Sequence, residues 1–221
     1  MIISKMNARK TLFMGLIMTL LFTNVYAQDP IKIMLYGDSL MAGYGLPQNE
    51  NLTSELTRNF EGLDPAVNFI NASISGNTSK NGLSRVDWSL GDNPRIVILC
   101  LGANDMLRGL DPALTKNNLD LIIKKFIKNN SIVILAGMKS SESMGPSYQK
   151  EFDSLYPELS KKYSLIFMPF LLEGIALEKE MLLPDYKHPN AKGIKMMAGN
   201  LKPYILEALD RLDLKTHLFN Q

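Results

Sequence analysis

Short apolar runs alternate with amphipathic segments along most of the chain. The clearest run, Arg95–Leu101, is continuously apolar after its first residue, which is typical of a strand buried on both faces of a parallel sheet. In Thr115–Lys128, apolar residues recur every three or four positions, which predicts a helix with one buried face. The same periodicities predict strands at 31–36, 67–72, 95–101, 131–136 and 165–169, and helices at 49–60, 78–90, 115–128, 147–163 and 191–209.

Strands therefore alternate with helical segments five times, with no internal repeat and no low-complexity linker. This order is typical of a parallel sheet that is covered by helices on both faces and joined by right-handed crossovers. We predict a single α/β domain over residues 28–221, built as a three-layer α/β/α sandwich on a five-stranded parallel sheet. Pro157 and Pro203 fall inside two predicted helices, which we expect them to kink or interrupt.

The first 27 residues have the three parts of a secretory signal peptide. Lys5, Arg9 and Lys10 precede the apolar run Thr11–Thr23. The residues that end at Ala27 are small or are of types tolerated before a signal-peptide cleavage site. The alternative is an uncleaved anchor, but the apolar run is short and interrupted for a membrane span. We expect cleavage after Ala27, no stable membrane anchor afterwards, and a location in the periplasm or outside the cell.

Charge and cysteine content narrow the range of partners. The net charge is +2, and removal of residues 1–27 with their three basic side chains changes it to −1. The sequence has no stripe of basic residues, which argues against a nucleic-acid partner. Cys100 lies within an apolar run, so we expect a core residue and not a nucleophile. Two histidines and one cysteine, far apart in the chain, lack the spacing of a zinc site. We expect no metal, no other cofactor and a monomer.

A hydroxyl group follows the first predicted strand. The stretch Ile31–Pro47 reads IKIMLYGDSLMAGYGLP, and Gly-Asp-Ser-Leu ends its apolar run. A side chain just past the carboxyl end of a buried strand stands where open α/β sheets bind their ligands. The start of the next helix also supplies N–H groups that favour negative charge. Ser39 is therefore the candidate nucleophile.

A serine nucleophile needs a base, and the chain has two histidines. His188 follows Asp185 by three residues in a proline-bounded loop, so one loop can present an imidazole and the carboxylate that orients it. The alternative for His188 is an exposed loop histidine, since short motifs often match by chance. His217 lies near the C-terminus, where we expect it on the solvated surface.

Acyl transfer also needs hydrogen-bond donors for the oxyanion of its tetrahedral intermediate. The backbone N–H groups of Ser39 and Gly76 and the side-chain amide of Asn104 follow three different predicted strands, which places them at one edge of the sheet. Ordinary turn chemistry is the alternative explanation for Gly76 and for Asn104. Asp38 is expected to accept local backbone hydrogen bonds, in a role more structural than chemical.

Four stretches together resemble the sequence blocks of the SGNH (GDSL) hydrolases, in the order of that family. They are GDSL at 37–40, the glycine of ISGNT at 76, GAND at 102–105 and DYKHP at 185–189. Longer stretches, among them LGANDMLRGLDP and HPNAKG, resemble the bacterial exported branch of arylesterases, lysophospholipases and acyl-CoA thioesterases. The resemblance implies a flavodoxin-like fold and hydrolysis of carboxylic esters or thioesters through an acyl-enzyme. It also implies Ser39 as nucleophile, His188 as base, Asp185 as orienting acid, and an oxyanion hole of Ser39, Gly76 and Asn104.

Tyr186 and Met106 depart from that branch, in which both positions are commonly glycine. Neither change removes a catalytic group, so we expect them to affect the substrate range. Apolar side chains also stand on loops at the predicted catalytic edge. We predict that Leu107, Leu110 and the stretch Met138–Pro146 line a groove for the acyl chain; the alternative is that these side chains only pack the loops.

Two other functions are compatible with the sequence. The same fold and triad can host carbohydrate O-deacetylation, although an apolar substrate-side loop with few aromatic residues is unlike a sugar-binding platform. A non-catalytic binding module on the same sheet is the other alternative, and the presence of every polar group that catalysis needs argues against it. A phosphate-binding role for GYGLP is weaker still, because this stretch lacks the P-loop lysine and the dinucleotide glycine spacing.

Overall fold

The computed structural model describes residues 29–63 and 65–219, with side chains up to residue 212. The predicted signal peptide, residues 1–27, lies outside this part, and so does the side chain of His217. Both therefore stay predictions. Within the described residues, no helix combines the length and the apolar character needed to cross a membrane.

Five parallel strands form one sheet. They are β1 (Ile31–Gly37), β2 (Val67–Asn71), β3 (Ile96–Cys100), β4 (Ile132–Ala136) and β5 (Ile166–Met168). Their order across the sheet is β2-β1-β3-β4-β5, the flavodoxin-like order of a doubly wound fold. β3 and β4 are buried along their whole length, as their continuous apolar sequences predict. The predicted α/β fold on five parallel strands is confirmed.

Helices cover both faces of this sheet. They are α1 (Ser39–Ala42), α2 (Leu52–Asn59), α3 (Ser79–Ser89), α4 (Ala103–Leu107), α5 (Pro112–Lys128), α6 (Pro146–Tyr163) and α7 (Ala191–Phe219). On one face α5 packs between α3 and α6, and on the other α2 packs with α7, which makes three layers. Asn51, Thr78 and Asp111 accept hydrogen bonds from first-turn N–H groups of α2, α3 and α5, so short polar side chains cap these helices.

The expected interruptions at Pro157 and Pro203 do not occur. α6 and α7 both continue through their prolines, and α7 extends past its predicted end at Leu209. A proline inside a helix removes one backbone hydrogen bond and crowds the preceding turn. Neighbouring residues such as Tyr156 and Leu201 are buried. Tertiary packing of these neighbours offsets the local cost, which sequence periodicity alone does not reveal.

The loops after β1, β2 and β3 meet at one edge of the sheet. β1 pairs with β2 on one side and with β3 on the other, and all three strands run in the same direction. From β1 the chain adds β2 on one side of the sheet and β3, β4 and β5 on the other. The strand order therefore reverses next to β1, and this edge is the switch point of the fold. Ligands of doubly wound sheets bind at such points, outside the carboxyl ends of the strands.

Candidate active site

Ser39 stands at the junction between a buried strand and a short helix. It is half-buried and is the first residue of α1, directly past the end of β1. Asp38 caps this helix, because its Oδ1 accepts the Leu40 N–H at 3.1 Å. This is the local backbone bond predicted for Asp38. The cap and the buried strand together set the position from which the Ser39 hydroxyl faces solvent.

His188 and Asp185 lie beside the Ser39 hydroxyl. His188 Nε2 is 2.8 Å from Ser39 Oγ, and His188 Nδ1 is 2.6 Å from Asp185 Oδ2. Because each ring nitrogen has its own partner, a neutral imidazole can donate from Nδ1 to the carboxylate and accept the hydroxyl proton at Nε2. The fold thus brings together a serine and a histidine that are 149 positions apart in the chain.

Local hydrogen bonds hold the Asp185 carboxylate. Its Oδ1 accepts the backbone N–H groups of Lys187 at 3.0 Å and of His188 at 3.1 Å. The hydrogen bond from the His188 side chain, together with these backbone bonds, lowers the pKa of Asp185 to about 2. The carboxylate is therefore ionised at neutral pH.

The loop that carries this pair closes on itself. The Leu183 N–H donates to the His188 carbonyl at 2.7 Å, and the Tyr186 N–H donates to the Leu183 carbonyl at 2.9 Å. Tyr186 has a φ of 55°, in the left-handed region that suits glycine far better than tyrosine. A bulky ring therefore occupies a strained backbone position between the acid and the base.

Gly76 occupies the third position of a tight turn after β2. The Asn77 N–H donates to the Ile74 carbonyl at 3.1 Å, and Gly76 has a φ of 80°, as the third position of a type II turn requires. Arg108 donates to the Gly76 carbonyl at 2.9 Å, which holds the peptide that follows Gly76 in this turn. Within the described residues, the backbone N–H groups of Gly76 and Ser39 donate to no protein acceptor. Both are therefore available to a ligand.

Asn104 presents its amide to the same region from the start of α4. Its Nδ2 donates to Asp38 Oδ2 at 3.3 Å, which leaves the second amide hydrogen for a ligand. Asp38 is fully buried, and this burial raises its pKa to about 6. Asp38 therefore joins the helix that begins with Ser39 to the candidate oxyanion amide, a connection beyond the local role predicted for it.

Arg85 ties together the loops that follow β1 and β2. Its guanidinium donates to the Gly37 carbonyl at 3.1 Å and to the Asn77 side-chain oxygen at 2.8 Å. A third bond goes to the Ala72 carbonyl. One side chain of α3 thus fixes the segments next to Ser39 and next to the Gly76 turn.

A buried hydrogen-bond network lies beneath Asn104. The Asp105 carboxylate accepts the N–H and the hydroxyl of Ser79 at 2.7 and 2.5 Å, and the hydroxyl of Thr115 at 3.2 Å. Asn118 donates to the same Ser79 hydroxyl at 2.9 Å. These bonds connect α3, α4 and α5, so the short helix that carries Asn104 is anchored from two sides.

A cleft of about 840 Å³ opens over Ser39 and His188. Leu107 lines it, as do Met138 and the residues that follow up to Glu142. Leu110, in contrast to the prediction, is not among the lining residues. Its N–H donates back to the Asp105 carbonyl at 2.9 Å and its carbonyl accepts the hydroxyl of Tyr148 at 2.8 Å. These bonds fix the backbone of Leu110 in the turn before α5.

Three further side chains shape the cleft walls. The ring of Tyr44 lies against that of His188, with centroids 4.5 Å apart and an interplanar angle of 38°. Tyr186 lines the same cleft and is 63% exposed. Met106 is buried, and its sulfur accepts the Ser141 N–H at 3.3 Å. The methionine therefore connects two loops of the wall, whereas both tyrosines are exposed, Tyr186 with the Lys179 ammonium group 5.9 Å from its ring centroid.

Comparison with known proteins assigns this geometry to a family. The profile of the GDSL-like lipase/acylhydrolase family matches residues 35–196. The chain belongs to this family. It is similar to an arylesterase of Vibrio mimicus, with 34% identity over 164 residues, 74% of this chain and 82% of that protein. It is also similar to thioesterase 1/protease 1/lysophospholipase L1 of Escherichia coli K12, with 32% identity over 195 residues, 86% of this chain and 91% of that protein.

Solved structures of the same family share the fold. The psychrotrophic esterase EstA from Pseudoalteromonas sp., inhibited by monoethylphosphonate, aligns with a TM-score of 0.77 at 32% identity, covering 81% of this chain and 99% of that one. AlinE4, an SGNH-hydrolase family esterase, aligns with a TM-score of 0.68 at 34% identity, covering 82% and 97%. The predicted resemblance to SGNH (GDSL) hydrolases is confirmed. This GDSL-family protein is a carboxylic ester hydrolase that acts on small-molecule esters.

The sequence also raises a metal site and a thiol as candidate reactive groups. In the part of the chain that the structure describes, no cluster of three or more His, Cys, Asp and Glu side chains could hold a metal ion. Cys100 is fully buried in the core, and burial raises the pKa of its thiol. The prediction that Cys100 is a core residue is confirmed.

Sequence reasoning missed three residues that shape the site of this esterase: Arg85, Arg108 and Tyr44. A weak signal existed for Arg85, because a basic residue stands on the α3 face that buries Gly82 and Val86. Arg108 and Tyr44 gave no comparable signal. Their importance comes from contacts with Gly76 and His188, which lie far away in the chain.

Proposed function

We propose that this GDSL-family esterase hydrolyses carboxylic esters, and acyl thioesters as well, through an acyl-enzyme on Ser39. His188 is the general base, and Asp185 is the carboxylate that orients it. The observation that carries the proposal is the chain of hydrogen bonds from Asp185 through His188 to Ser39 Oγ, at 2.6 and 2.8 Å. A serine hydroxyl is a weak nucleophile until such a base accepts its proton.

The first half-reaction acylates the serine. Ser39 Oγ forms a bond to the substrate carbonyl carbon while its proton moves to His188 Nε2, and the carbonyl oxygen becomes an oxyanion. The ionised Asp185 stabilises the resulting imidazolium. Collapse of the intermediate breaks the bond to the leaving group, which takes the proton from His188 Nε2. The products of this step are the acyl-enzyme and an alcohol or thiol.

The oxyanion requires donors that are in place before the reaction. In this proposal they are the backbone N–H groups of Ser39 and Gly76 and the side-chain amide of Asn104. The first two lack protein acceptors among the described residues, and Asp38 holds the third through one amide hydrogen. Donors that are fixed in advance stabilise developing charge without a reorganisation cost.

The second half-reaction releases the acid. Water takes the place of the leaving group, His188 Nε2 accepts its proton, and its oxygen attacks the acyl carbon. Collapse of the intermediate then breaks the bond to Ser39 Oγ, which takes the proton back from His188 Nε2, and frees the carboxylic acid. We propose that Leu107 and Met138, which line the cleft, contact the acyl chain during both half-reactions.

The oligomeric state and the location of the protein are part of the same proposal. One chain supplies every catalytic group, so the enzyme is proposed to act as a monomer. The charged and apolar segments of residues 1–27 support export to the periplasm or beyond, with removal of this segment after Ala27.

The test is hydrolysis of p-nitrophenyl acetate, butyrate and octanoate and of palmitoyl-CoA by the purified protein. We expect turnover by the parent and a loss of about 10⁴-fold or more in kcat for Ser39→Ala and for His188→Ala. His217→Ala, which changes the other histidine, serves as the matched control and should retain activity. An activated fluorophosphonate should react with Ser39 Oγ, lose fluoride, and add the mass of its phosphonyl group to the parent and not to Ser39→Ala.

Each alternative outcome identifies a different error. A folded parent that ignores all these substrates but releases acetate from acetylated xylan is a carbohydrate deacetylase. A folded parent that hydrolyses nothing and binds no phosphonate is a binding module. Full activity in Ser39→Ala contradicts the nucleophile assignment.

A further inference from the structure

Two exposed tyrosines flank the base of the active site. Tyr44 is 51% exposed although its ring lies against that of His188, at a centroid distance of 4.5 Å. Tyr186 is 63% exposed and belongs to the same loop as His188. Both line the cleft. Large aromatic side chains left open beside reacting atoms mark a surface that a ligand can cover.

The reaction geometry decides which part of a substrate meets these rings. His188 Nε2 must protonate the departing oxygen, so the leaving group sits beside the imidazole when its bond breaks. Tyr44 lies on the face of that imidazole, and Tyr186 stands two residues before it in the loop. The acyl chain, in contrast, extends from the carbonyl carbon held near Asn104, whose chain continues to Met106 and Leu107.

Resting on the proposed acyl-enzyme mechanism, we propose that Tyr44 and Tyr186 form a binding site for a flat aromatic leaving group. The two tyrosines then determine specificity on the leaving-group side, and esters of phenols and benzyl-type alcohols are favoured over aliphatic esters of equal size. Stacked or edge-to-face aromatic contacts supply the selectivity, because a flat ring approaches another ring more closely than a puckered one.

The polar groups near the tyrosines fit an aromatic ring better than a sugar. A sugar ring on an aromatic platform needs carboxylate or amide partners for its hydroxyl groups. Next to Tyr186 stands Lys187, and Leu40 and Leu177 also line the cleft. Asp185 is already bonded to His188 and to the loop backbone. The carboxylate of Glu142 and the hydroxyl groups of Ser140 and Ser141 also line the cleft, but they belong to the loop after β4 and not to the segments that carry the two tyrosines.

The backbone at Tyr186 supports a functional reason for its ring. A φ of 55° places tyrosine in a conformation in which glycine carries no such penalty. Strain of this kind often accompanies function at an active site. The ring also has no buried packing role, since most of its surface is exposed.

The experiment compares two butyrate esters, benzyl butyrate and cyclohexylmethyl butyrate. Their acyl groups are identical and their alcohols are similar in size, so the ratio of kcat/KM reports mainly on the flatness of the leaving group. Any remaining difference in intrinsic reactivity cancels when this ratio is compared between variants. The parent is expected to favour the benzyl ester by about three- to ten-fold, the range of a single aromatic contact.

Variants separate aromatic contact from bulk. Tyr186→Phe and Tyr44→Phe should keep the benzyl preference, whereas Tyr186→Leu and Tyr44→Leu should each bring the ratio two- to five-fold closer to one. Tyr186→Gly should lose the preference as well, with a melting temperature equal to or above that of the parent, because the left-handed position suits glycine. Trp88→Ala, which removes an aromatic side chain that is 81% exposed outside the cleft, should leave the ratio unchanged.

Several results would overturn this inference without touching the mechanism. A parent that hydrolyses both esters with a ratio near one has no aromatic leaving-group site. If Tyr186→Leu and Tyr44→Leu leave the ratio unchanged, other residues cause the preference for the benzyl ester. A lower melting temperature for Tyr186→Gly makes Tyr186 a structural residue. If the parent hydrolyses no ester at all, the proposed function fails and this inference fails with it.

Discussion

The nucleophile side and the base side of this active site are held in different ways. On the nucleophile side, Asp38 and Asp105 are at most 1% exposed and bond across α1, α3, α4 and α5. On the base side, the Asp185 side chain is 38% exposed and that of His188 is 19% exposed. The base loop is held mainly by hydrogen bonds among its own residues, 183 to 188.

Catalysis on the nucleophile side therefore depends on the buried core of the fold, whereas catalysis on the base side depends on one exposed loop. A buried polar group that loses its partner costs stability as well as function. An exposed loop that satisfies itself locally can change without disturbing the core. We therefore expect base-side variants to lose activity alone, and nucleophile-side variants to lose activity and stability together.

Among the changes that test this comparison, Asp185→Ala has the largest expected effect. Without the carboxylate, nothing selects the tautomer of His188 or stabilises the imidazolium, so kcat should fall by roughly 10³- to 10⁴-fold. The melting temperature should change by no more than about 2 °C, because surface substitutions are usually mild. Steady-state kinetics and thermal denaturation measure both. Asp87→Ala, which removes an exposed carboxylate bonded to Lys125, is the control; a large loss of stability in Asp185→Ala would contradict the comparison.

The next largest effect is expected from Asn104→Ala. Its kcat should be lower by roughly 10²- to 10³-fold with KM little changed, as for the loss of one oxyanion donor. The substitution also leaves Asp38 Oδ2 without its amide donor, so the protein should unfold at lower urea concentration than the parent. Kinetics on p-nitrophenyl butyrate and urea titration test both expectations. An unchanged kcat would remove Asn104 from the oxyanion hole.

Arg85→Lys is expected to reduce kcat by about ten-fold and stability by about 2 kcal/mol. An ammonium group cannot reproduce the fork with which a guanidinium bonds several acceptors at once, so bonds to Gly37, Ala72 or Asn77 are lost. The reaction rate with a phosphonate should fall in parallel with kcat if the loops shift. Arg58→Lys, a change at an exposed arginine, is the control. Loss of stability with unchanged kcat would show that Arg85 supports the fold without positioning the site.

The smallest expected effect is a pH dependence of stability caused by Asp38. Its pKa is raised from 3.8 to about 6 in the folded protein, so the folded state binds more protons than the unfolded state between these values. Stability should therefore fall as the pH rises from about 4 to about 6, by up to about 2 kcal/mol, and then level off. Asp38→Asn should remove this component. Urea titrations of both proteins at pH 4, 5, 6 and 7 measure it, and parallel curves would contradict it.

Most of the fold was predictable because its signals are local. Continuous apolar runs such as Ile96–Cys100 indicate strands buried on both faces, and amphipathic repeats such as Pro112–Lys128 indicate covering helices. Their alternation leaves a parallel sheet as the favoured arrangement. The continuous course of α7 through Pro203 was not predictable, because packing against other elements offsets the broken hydrogen bond.

The residues of the candidate site were predictable to a similar extent. Ser39, Gly76 and Asn104 follow strands whose ends share one edge, and Asp185 and His188 lie three residues apart. Leu110 was placed in the cleft because apolar loop residues follow Asn104. In the structure its N–H is bonded to the Asp105 carbonyl in a turn, and Leu110 does not line the cleft. No pattern of residue types reveals such a turn.

The sequence by itself determined the class of fold, the candidate nucleophile, base and acid, and the family to which the chain belongs. These depend on residue types and on short spacings, which the printed letters contain. Only the tertiary structure decided that Arg85 braces two loops, that Asp38 holds Asn104, and that Tyr44 lies against His188. The physical reason is that hydrogen bonds and ring contacts act over a few ångströms in space. Arg85 and Gly37, Asp38 and Asn104, and Tyr44 and His188 are each tens to more than a hundred residues apart in the chain.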